Sequence, residues 1–125
     1  MNQYDAIAKL MIATMVADGL SHDNEQMFII GIIEILKIDE EKYELLRKEA
    51  EELDNLEEII EWCRSSIHEI AEKNKYTSGW NAMSVLFMAL VAMADNEIDK
   101  NEKRLIMAVA EELNVNIESL ESIST

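Results

Sequence analysis

Residues 11–39 read MIATMVADGLSHDNEQMFIIGIIEILKID, and residues 88–116 read MALVAMADNEIDKNEKRLIMAVAEELNVN. The two stretches align without a gap at an offset of 77 residues, so the chain contains an internal repeat. Each copy joins an apolar segment, a short acidic segment and a second apolar segment. The repeat therefore predicts two helix–loop–helix units of the same design. Identical pairs include Ala17/Ala94, Asp18/Asp95, Asn24/Asn101, Glu25/Glu102, Glu34/Glu111 and Leu36/Leu113.

The composition favours an all-α fold. The chain has 125 residues, no proline, three glycines and 49% hydrophobic residues. It lacks the alternating apolar pattern of strands and the dipeptides typical of hairpins. We expect a single domain over residues 1–125, folded as a compact bundle of about seven helices.

The spacing of apolar residues locates these helices. Asp39 and Asp54 are expected to cap the third and fourth helices, and Asp99 with Glu102 has the spacing of a capping box for the sixth. The second helix is apolar at most positions, so we expect it to be buried on most sides. The expected helices cover about 3–17, 22–36, 40–53, 54–73, 79–94 and 100–113, with a short one from 117.

The repeats, about 3–46 and 79–123, are expected to pack about a pseudo-two-fold axis, with the fourth helix joining the halves. Gly31 and Ala108 occupy equivalent positions, and both are small. Because small residues let helix backbones approach closely, we expect the second and sixth helices to cross at these two residues.

The charge of the chain limits its partners. With 26 acidic and 11 basic residues, the net charge is −15. Such a surface repels nucleic acid and anionic lipid, so we expect neither as a partner. A basic protein partner or a cation is the better match, and residues 40–61 carry ten acidic against three basic residues. A solvated helix face explains this acidic stretch, and docking of a basic partner is the alternative.

Several features favour a cytoplasmic location. The longest apolar run, 85–94, is shorter than the roughly 20 residues that a membrane span needs, so direct membrane insertion is not expected. No signal peptide is visible at the N-terminus. The single cysteine, Cys63, cannot form an internal disulfide and lies on an apolar helix face, where a buried inert thiol is expected.

The acidic segments of the repeat contain the candidate site. In each unit an aspartate, Asp18 or Asp95, follows the first helix, and a glutamate, Glu25 or Glu102, lies seven residues later in the first turn of the next. Glutamate is favourable there because the N-terminus of a helix carries partial positive charge. An aspartate near a helix C-terminus is unfavourable, so Asp18 and Asp95 require a compensating partner.

Three compensations fit the residues. In the structural alternative, each aspartate accepts hydrogen bonds from backbone N–H groups that open the next helix. In the second, the four carboxylates converge on a divalent cation, Ca²⁺, Mg²⁺, Mn²⁺ or Zn²⁺; hard oxygen ligands suit the first three ions best. Basic groups of a partner are a third possibility. The candidate metal ligands are Asp18, Glu25, Asp95 and Glu102, which His22, Asp23, Glu97 and Asp99 could extend.

Known site signatures are missing from the sequence. Lys100 and Ile106 replace the glycine and the bidentate glutamate that an EF-hand needs. There is no phosphate-binding glycine loop and no HExxH, GxSxG or CxxC motif. His68 lies on a polar helix face and is expected to be solvated. We therefore expect no enzymatic activity.

The two loops, Ala-Asp-Gly-Leu-Ser-His-Asp-Asn-Glu and Ala-Asp-Asn-Glu-Ile-Asp-Lys-Asn-Glu, resemble those of the tellurite-resistance TerB-like family. The resemblance covers nearly the whole chain. It implies a bundle of about seven helices, acidic loop residues that bind divalent metal, and a role in bacterial stress response. The second loop departs from the pattern with Asn96 where glycine is usual, and the first has Ser21 in place of isoleucine.

The sequence thus predicts a non-enzymatic interaction or sensing module of a tellurite-resistance-like stress system. Two alternatives remain at this point. One is a metal-dependent, hydrolase-like enzyme that uses the same carboxylates. The other is a structural adaptor whose acidic face docks a basic partner. The oligomeric state is not predicted.

Overall fold

A computed structural model of the chain describes residues 3–17, 23–73, 79–94 and 99–115. These ranges contain α-helices and connecting turns and no strand, so the all-α prediction is confirmed. The seventh predicted helix lies outside the described residues. The six helices are α1 (Gln3–Val16), α2 (Asp23–Leu36), α3 (Glu40–Glu51), α4 (Leu56–Lys73), α5 (Gly79–Met93) and α6 (Lys100–Glu112).

The helix boundaries follow the local sequence signals closely. Asp39 caps α3 as predicted, because its Oδ1 accepts a hydrogen bond from Glu41 N at 3.0 Å. The predicted cap of α4 was wrong by one residue. Asn55 Oδ1, instead of Asp54, accepts from Glu58 N at 2.9 Å. Both residue types cap helices well, and α4 begins directly after Asn55.

Helix α1 occupies the centre of the bundle. It packs most extensively on α4, then on α5, α3 and α2. Every residue from Asp5 to Met15 is buried. Such all-round burial is typical of a helix with neighbours on every side. The core around it includes Ile59, Cys63, Ile67 and Ile70 of α4.

Helix α2 is more exposed than its sequence predicts. Its buried residues are Glu25, Ile29 and Ile33, whereas Met27 and Ile35 are 70% and 73% exposed. The prediction of burial on most sides was therefore wrong. Within the described residues α2 packs on α1 and α5, which cover one side of it.

The expected close crossing of α2 and α6 is also wrong. These helices do not pack substantially on each other. A Cβ atom built on Gly31 would meet no atom of a neighbouring element within 4 Å. Helices α1 and α5 pack together and each contacts both α2 and α6. The first helices of the two units therefore form the central contact that the sequence predicts for the second helices.

The ends of α2 and α6 have the same backbone geometry at positions 77 residues apart. Lys37 directly follows α2, and Asn114 lies two residues after the end of α6; their φ angles are positive, at 57° and 60°. The next N–H group then bonds back to the last turn, from Ile38 to Ile33 O at 3.0 Å and from Val115 to Ala110 O at 2.9 Å. This is the closing pattern of a helix that ends on a left-handed residue. The pseudo-two-fold relation of the complete halves stays a prediction.

Candidate acidic site of the repeat

The structure describes two of the four candidate metal ligands. Glu25 and Glu102 lie in α2 and α6, whereas Asp18 and Asp95 lie outside the described residues. His22 and Glu97 lie outside them as well. Whether the four carboxylates converge therefore stays a prediction.

Glu102 is the third residue of α6 and forms the predicted capping box. Its Oε1 accepts a hydrogen bond from Asp99 N at 2.9 Å, and Asp99 Oδ1 accepts from Asn101 N at 2.8 Å. The two side chains thereby satisfy backbone donors that open the helix. Part of the role of Glu102 is therefore structural.

Glu25 is the third residue of α2 and the repeat equivalent of Glu102. Both glutamate side chains are fully buried, with 0% exposure. Burial of a carboxylate costs free energy unless nearby groups compensate it, and the positive end of a helix dipole is one such compensation. The position that corresponds to Asp99 is His22 in the first unit, so an aspartate cap of this kind is not available to Glu25.

The chemistry of this pair suits a hard cation, but two glutamates alone do not form a site. Among the described residues, no group of three or more histidine, cysteine, aspartate or glutamate side chains is placed to hold a metal ion. A complete ligand set would therefore require Asp18 and Asp95 in addition to Glu25 and Glu102.

Two other candidates for reactivity behave as expected. Cys63 is buried, and burial raises the pKa of its thiol from 9.0 to about 12, a shift that the charge of Lys9 opposes. Because the thiolate is the reactive form, this cysteine is inert near neutral pH. His68 is exposed on α4, as predicted.

Sequence reasoning missed a buried polar cluster where α1 meets α3 and α4. Lys9 is 8% exposed, donates a hydrogen bond to Ser65 Oγ at 3.2 Å and lies 4.6 Å from the ring centroid of Trp62. Asp5, 6% exposed, pairs with Lys42 of α3 at 2.8 Å. This hydrogen bond raises the pKa of Lys42. Two charges four residues apart on an otherwise apolar helix were the available signal.

The predicted acidic face is solvated. All ten acidic residues of 40–61 are exposed. Arg47 pairs with Glu44 and Glu51 along the same helix. Exposed pairs of this kind contribute little to stability.

Within the described residues, no helix has the length and apolar character needed to cross a bilayer. Residues 4–125 match the sequence model of a family described as tellurite resistance protein TerB, an all-α fold. No curated protein and no solved structure matches the chain. Because the match covers nearly the whole chain, the protein belongs to the TerB family of tellurite resistance proteins.

Proposed function

We propose that this TerB-family domain is a non-enzymatic interaction and sensing module of a bacterial tellurite-resistance-like stress response. Its acidic loops bind a divalent cation through Asp18, Glu25, Asp95 and Glu102. Family membership supports the link to tellurite resistance. The cation site and the sensing role are our inference from the residues.

The main observation in support of the cation site is the complete burial of Glu25 and Glu102. Each stands in the first turn of a helix, directly after an acidic segment, and the two are equivalent in the repeat. Oxygen donors of this kind fit Ca²⁺, Mg²⁺ or Mn²⁺. When bound, the ion would offset the negative charge of the loops.

A melting experiment tests the site. The protein is unfolded thermally in EDTA and then in millimolar Ca²⁺, Mg²⁺, Mn²⁺ or Zn²⁺. An ion that binds only the folded state must raise the melting temperature. We expect at least one of the first three ions to do so. If none of the four ions shifts the transition, the cation site is excluded.

Matched variants separate ion binding from capping. Asp18→Asn with Asp95→Asn should abolish the response to the ion while the fold survives. If these aspartates only cap helices, the double variant will lower stability and leave the ion response unchanged. Glu34→Gln with Glu111→Gln is the control, because these glutamates are exposed and also equivalent in the repeat. This control should respond to the ion as the unmodified protein does.

The exposed acidic face supports a second candidate function, that of an adaptor for a basic partner. All ten acidic residues of 40–61 are solvent-accessible. A basic peptide that docks there should dissociate as salt rises, and Glu49→Gln with Glu57→Gln should weaken its binding. Unchanged binding in this variant would contradict the adaptor role.

A further inference from the structure

Helix α2 presents an apolar face that nothing in the described structure covers. Met27 and Ile35 are 70% and 73% exposed, and Ile30 is 45% exposed. Their spacing, together with Gly31, places them on one side of the helix. We call Met27, Ile30, Gly31 and Ile35 the α2 open face. Glu34 is exposed on the same side of the helix, four residues after Ile30. Single exposed apolar residues are ordinary, whereas a group of them on one side of a helix is typical of an interaction surface.

The equivalent surface of α6 has a different composition. Arg104 and Glu112 replace Met27 and Ile35 at positions 77 residues later, and both are exposed. The same place in the repeat unit thus tolerates charged side chains in one copy and carries large apolar ones in the other. Folding of the unit does not require apolar residues at these positions, so their presence on α2 needs another explanation.

Gly31 supports the same conclusion independently. A glycine inside a helix costs about 1 kcal/mol relative to alanine. Within the described structure, no atom of another element lies within 4 Å of the position that its Cβ would take. Its small size therefore relieves no clash within the described structure, and the equivalent residue of α6 is Ala108. Absence of a side chain here lets a backbone from outside approach α2 closely.

The arrangement around α6 indicates what kind of element would cover α2. Helix α6 packs on α4, whereas α2 has no comparable contact with α4. Leu105 and Val109 of α6 are completely or almost completely buried. Their equivalents Phe28 and Ile32 are only partly buried. In the second unit α4 therefore covers the flank that Phe28 and Ile32 leave partly open in the first. By helical spacing this flank borders Ile35, so a helix that binds there would also contact one edge of the α2 open face.

Charge decides between the possible occupants. The exposed charges of α2, Asp23 and Glu34, are acidic, and the helix has no basic residue. A second copy would place like charges opposite each other and bring together two chains of net charge −15. The chain's own residues 116–125 contain two glutamates and no basic residue. A basic partner complements these charges, whereas a second copy and residues 116–125 do not.

We propose that the α2 open face docks an amphipathic, basic helix of another protein. The apolar side of that helix lies against Met27, Gly31 and Ile35, and its flanking lysine or arginine residues face Asp23 and Glu34. This inference rests on the proposed interaction role and specifies its partner. It does not depend on cation binding.

The probe is a fluorescent synthetic peptide of leucine, alanine and lysine with one apolar helical face. Its binding to the full chain is followed by anisotropy in EDTA and near-physiological salt, so that a failure of the cation site cannot affect the result. A scrambled peptide of the same composition has the same charge but no apolar face. We expect the amphipathic peptide to bind and the scrambled peptide to bind at least about tenfold more weakly, which corresponds to about 1.4 kcal/mol.

Three variants locate the binding surface. Ile35→Ser should weaken peptide binding about tenfold, since it removes exposed apolar surface without touching the core. Met107→Ser is its control, because Met107 is 43% exposed and lies on α6 at the position of Ile30. Gly31→Ala should raise the melting temperature and yet weaken binding, a combination that loss of fold cannot produce.

Several outcomes would overturn the proposal. The first is that both peptides bind equally well or that neither binds. The second is that Ile35→Ser and Gly31→Ala both leave the affinity for the amphipathic peptide unchanged. If only the variant Glu49→Gln with Glu57→Gln weakens peptide binding, the peptide binds to the acidic face instead of the α2 open face. A dimer in sedimentation that Ile35→Ser dissociates would assign the α2 open face to a second copy of this chain.

Discussion

Helices α2 and α6 begin and end alike but have different surroundings. Each has a fully buried glutamate as its third residue, and each is followed by a residue with positive φ. Each packs on the first helix of its own unit and also contacts the first helix of the other. Helix α6 has α4 as an additional neighbour, whereas α2 leaves an apolar face open.

This difference indicates that the repeat specifies the helices and their ends. Helix α4 has no counterpart in the repeat, and it gives the two units different surroundings. Helix α4 packs extensively on α1 and also on α6. Arg64 of α4 bonds to Glu61 on its own helix at 2.7 Å and to Glu112 of α6 at 3.2 Å. The residue of α2 equivalent to Glu112 is Ile35, which is 73% exposed within the described structure.

The largest effect that tests this comparison is truncation of a core side chain on each helix. Leu105→Ala in α6 should lower the free energy of unfolding by about 2–5 kcal/mol, because Leu105 is fully buried. The equivalent change Phe28→Ala in α2 removes more atoms, yet it should cost less, since Phe28 is only partly buried. Urea unfolding of the two variants measures both values.

Met107→Ser and Ile30→Ser serve as controls for this pair, because both residues are partly exposed at equivalent positions. Each should change stability far less than Leu105→Ala. If Phe28→Ala costs as much as Leu105→Ala, the flank of α2 is as well covered in solution as that of α6, and the contrast between the helices fails.

A smaller effect on the free energy of unfolding depends on pH. It tests the packing of α4, the helix that contacts α6 but has no comparable contact with α2. Burial raises the pKa of Cys63 to about 12 from 9.0. Below pH 9 the thiol is protonated in both states, and its contribution to stability is fully present. Between about pH 9 and 12 the unfolded chain loses this proton and the folded chain keeps it, so stability falls by about 1.4 kcal/mol per pH unit.

The measurement is urea unfolding between pH 8 and 11 for the protein and for Cys63→Ala. Burial also raises the pKa of Tyr43, which titrates in both proteins and cancels in the comparison. The difference between the two profiles should shrink as pH rises above 9. If the difference in unfolding free energy between the two proteins stays constant with pH, Cys63 is accessible to water and α4 is not tightly packed in the core.

Local features of the fold were predictable from sequence, because they depend on residues close together in the chain. The bounds of the six helices, the Asp39 cap and the capping box of Asp99 with Glu102 all follow from spacings of a few residues. The repeat also drew attention to Glu25 and Glu102, which are both fully buried; their role as metal ligands stays a prediction.

Features that depend on distant neighbours were not predictable. The apolar run of α2 does not say how many helices surround it, so burial on most sides was the wrong conclusion. Likewise, the sequence around Lys9 does not show that its ammonium group will contact Trp62 and Ser65 of α4. Convergence of the four loop carboxylates is a question of the same kind, since it depends on how the two units are placed.

The smallest effect concerns the left-handed residue just beyond each helix and tests whether the two ends are truly equivalent. Lys37 and Asn114 have φ angles of 57° and 60°, in the left-handed region that asparagine tolerates better than lysine. Lys37→Asn should therefore stabilise the protein by about 0.5–1 kcal/mol, and Asn114→Lys should destabilise it by a similar amount. Urea unfolding of both variants gives the two values, and the double swap should come close to the original stability. A loss of stability in Lys37→Asn would show that the end of α2 depends on the lysine side chain, so that equal φ angles would conceal different ways of ending a helix.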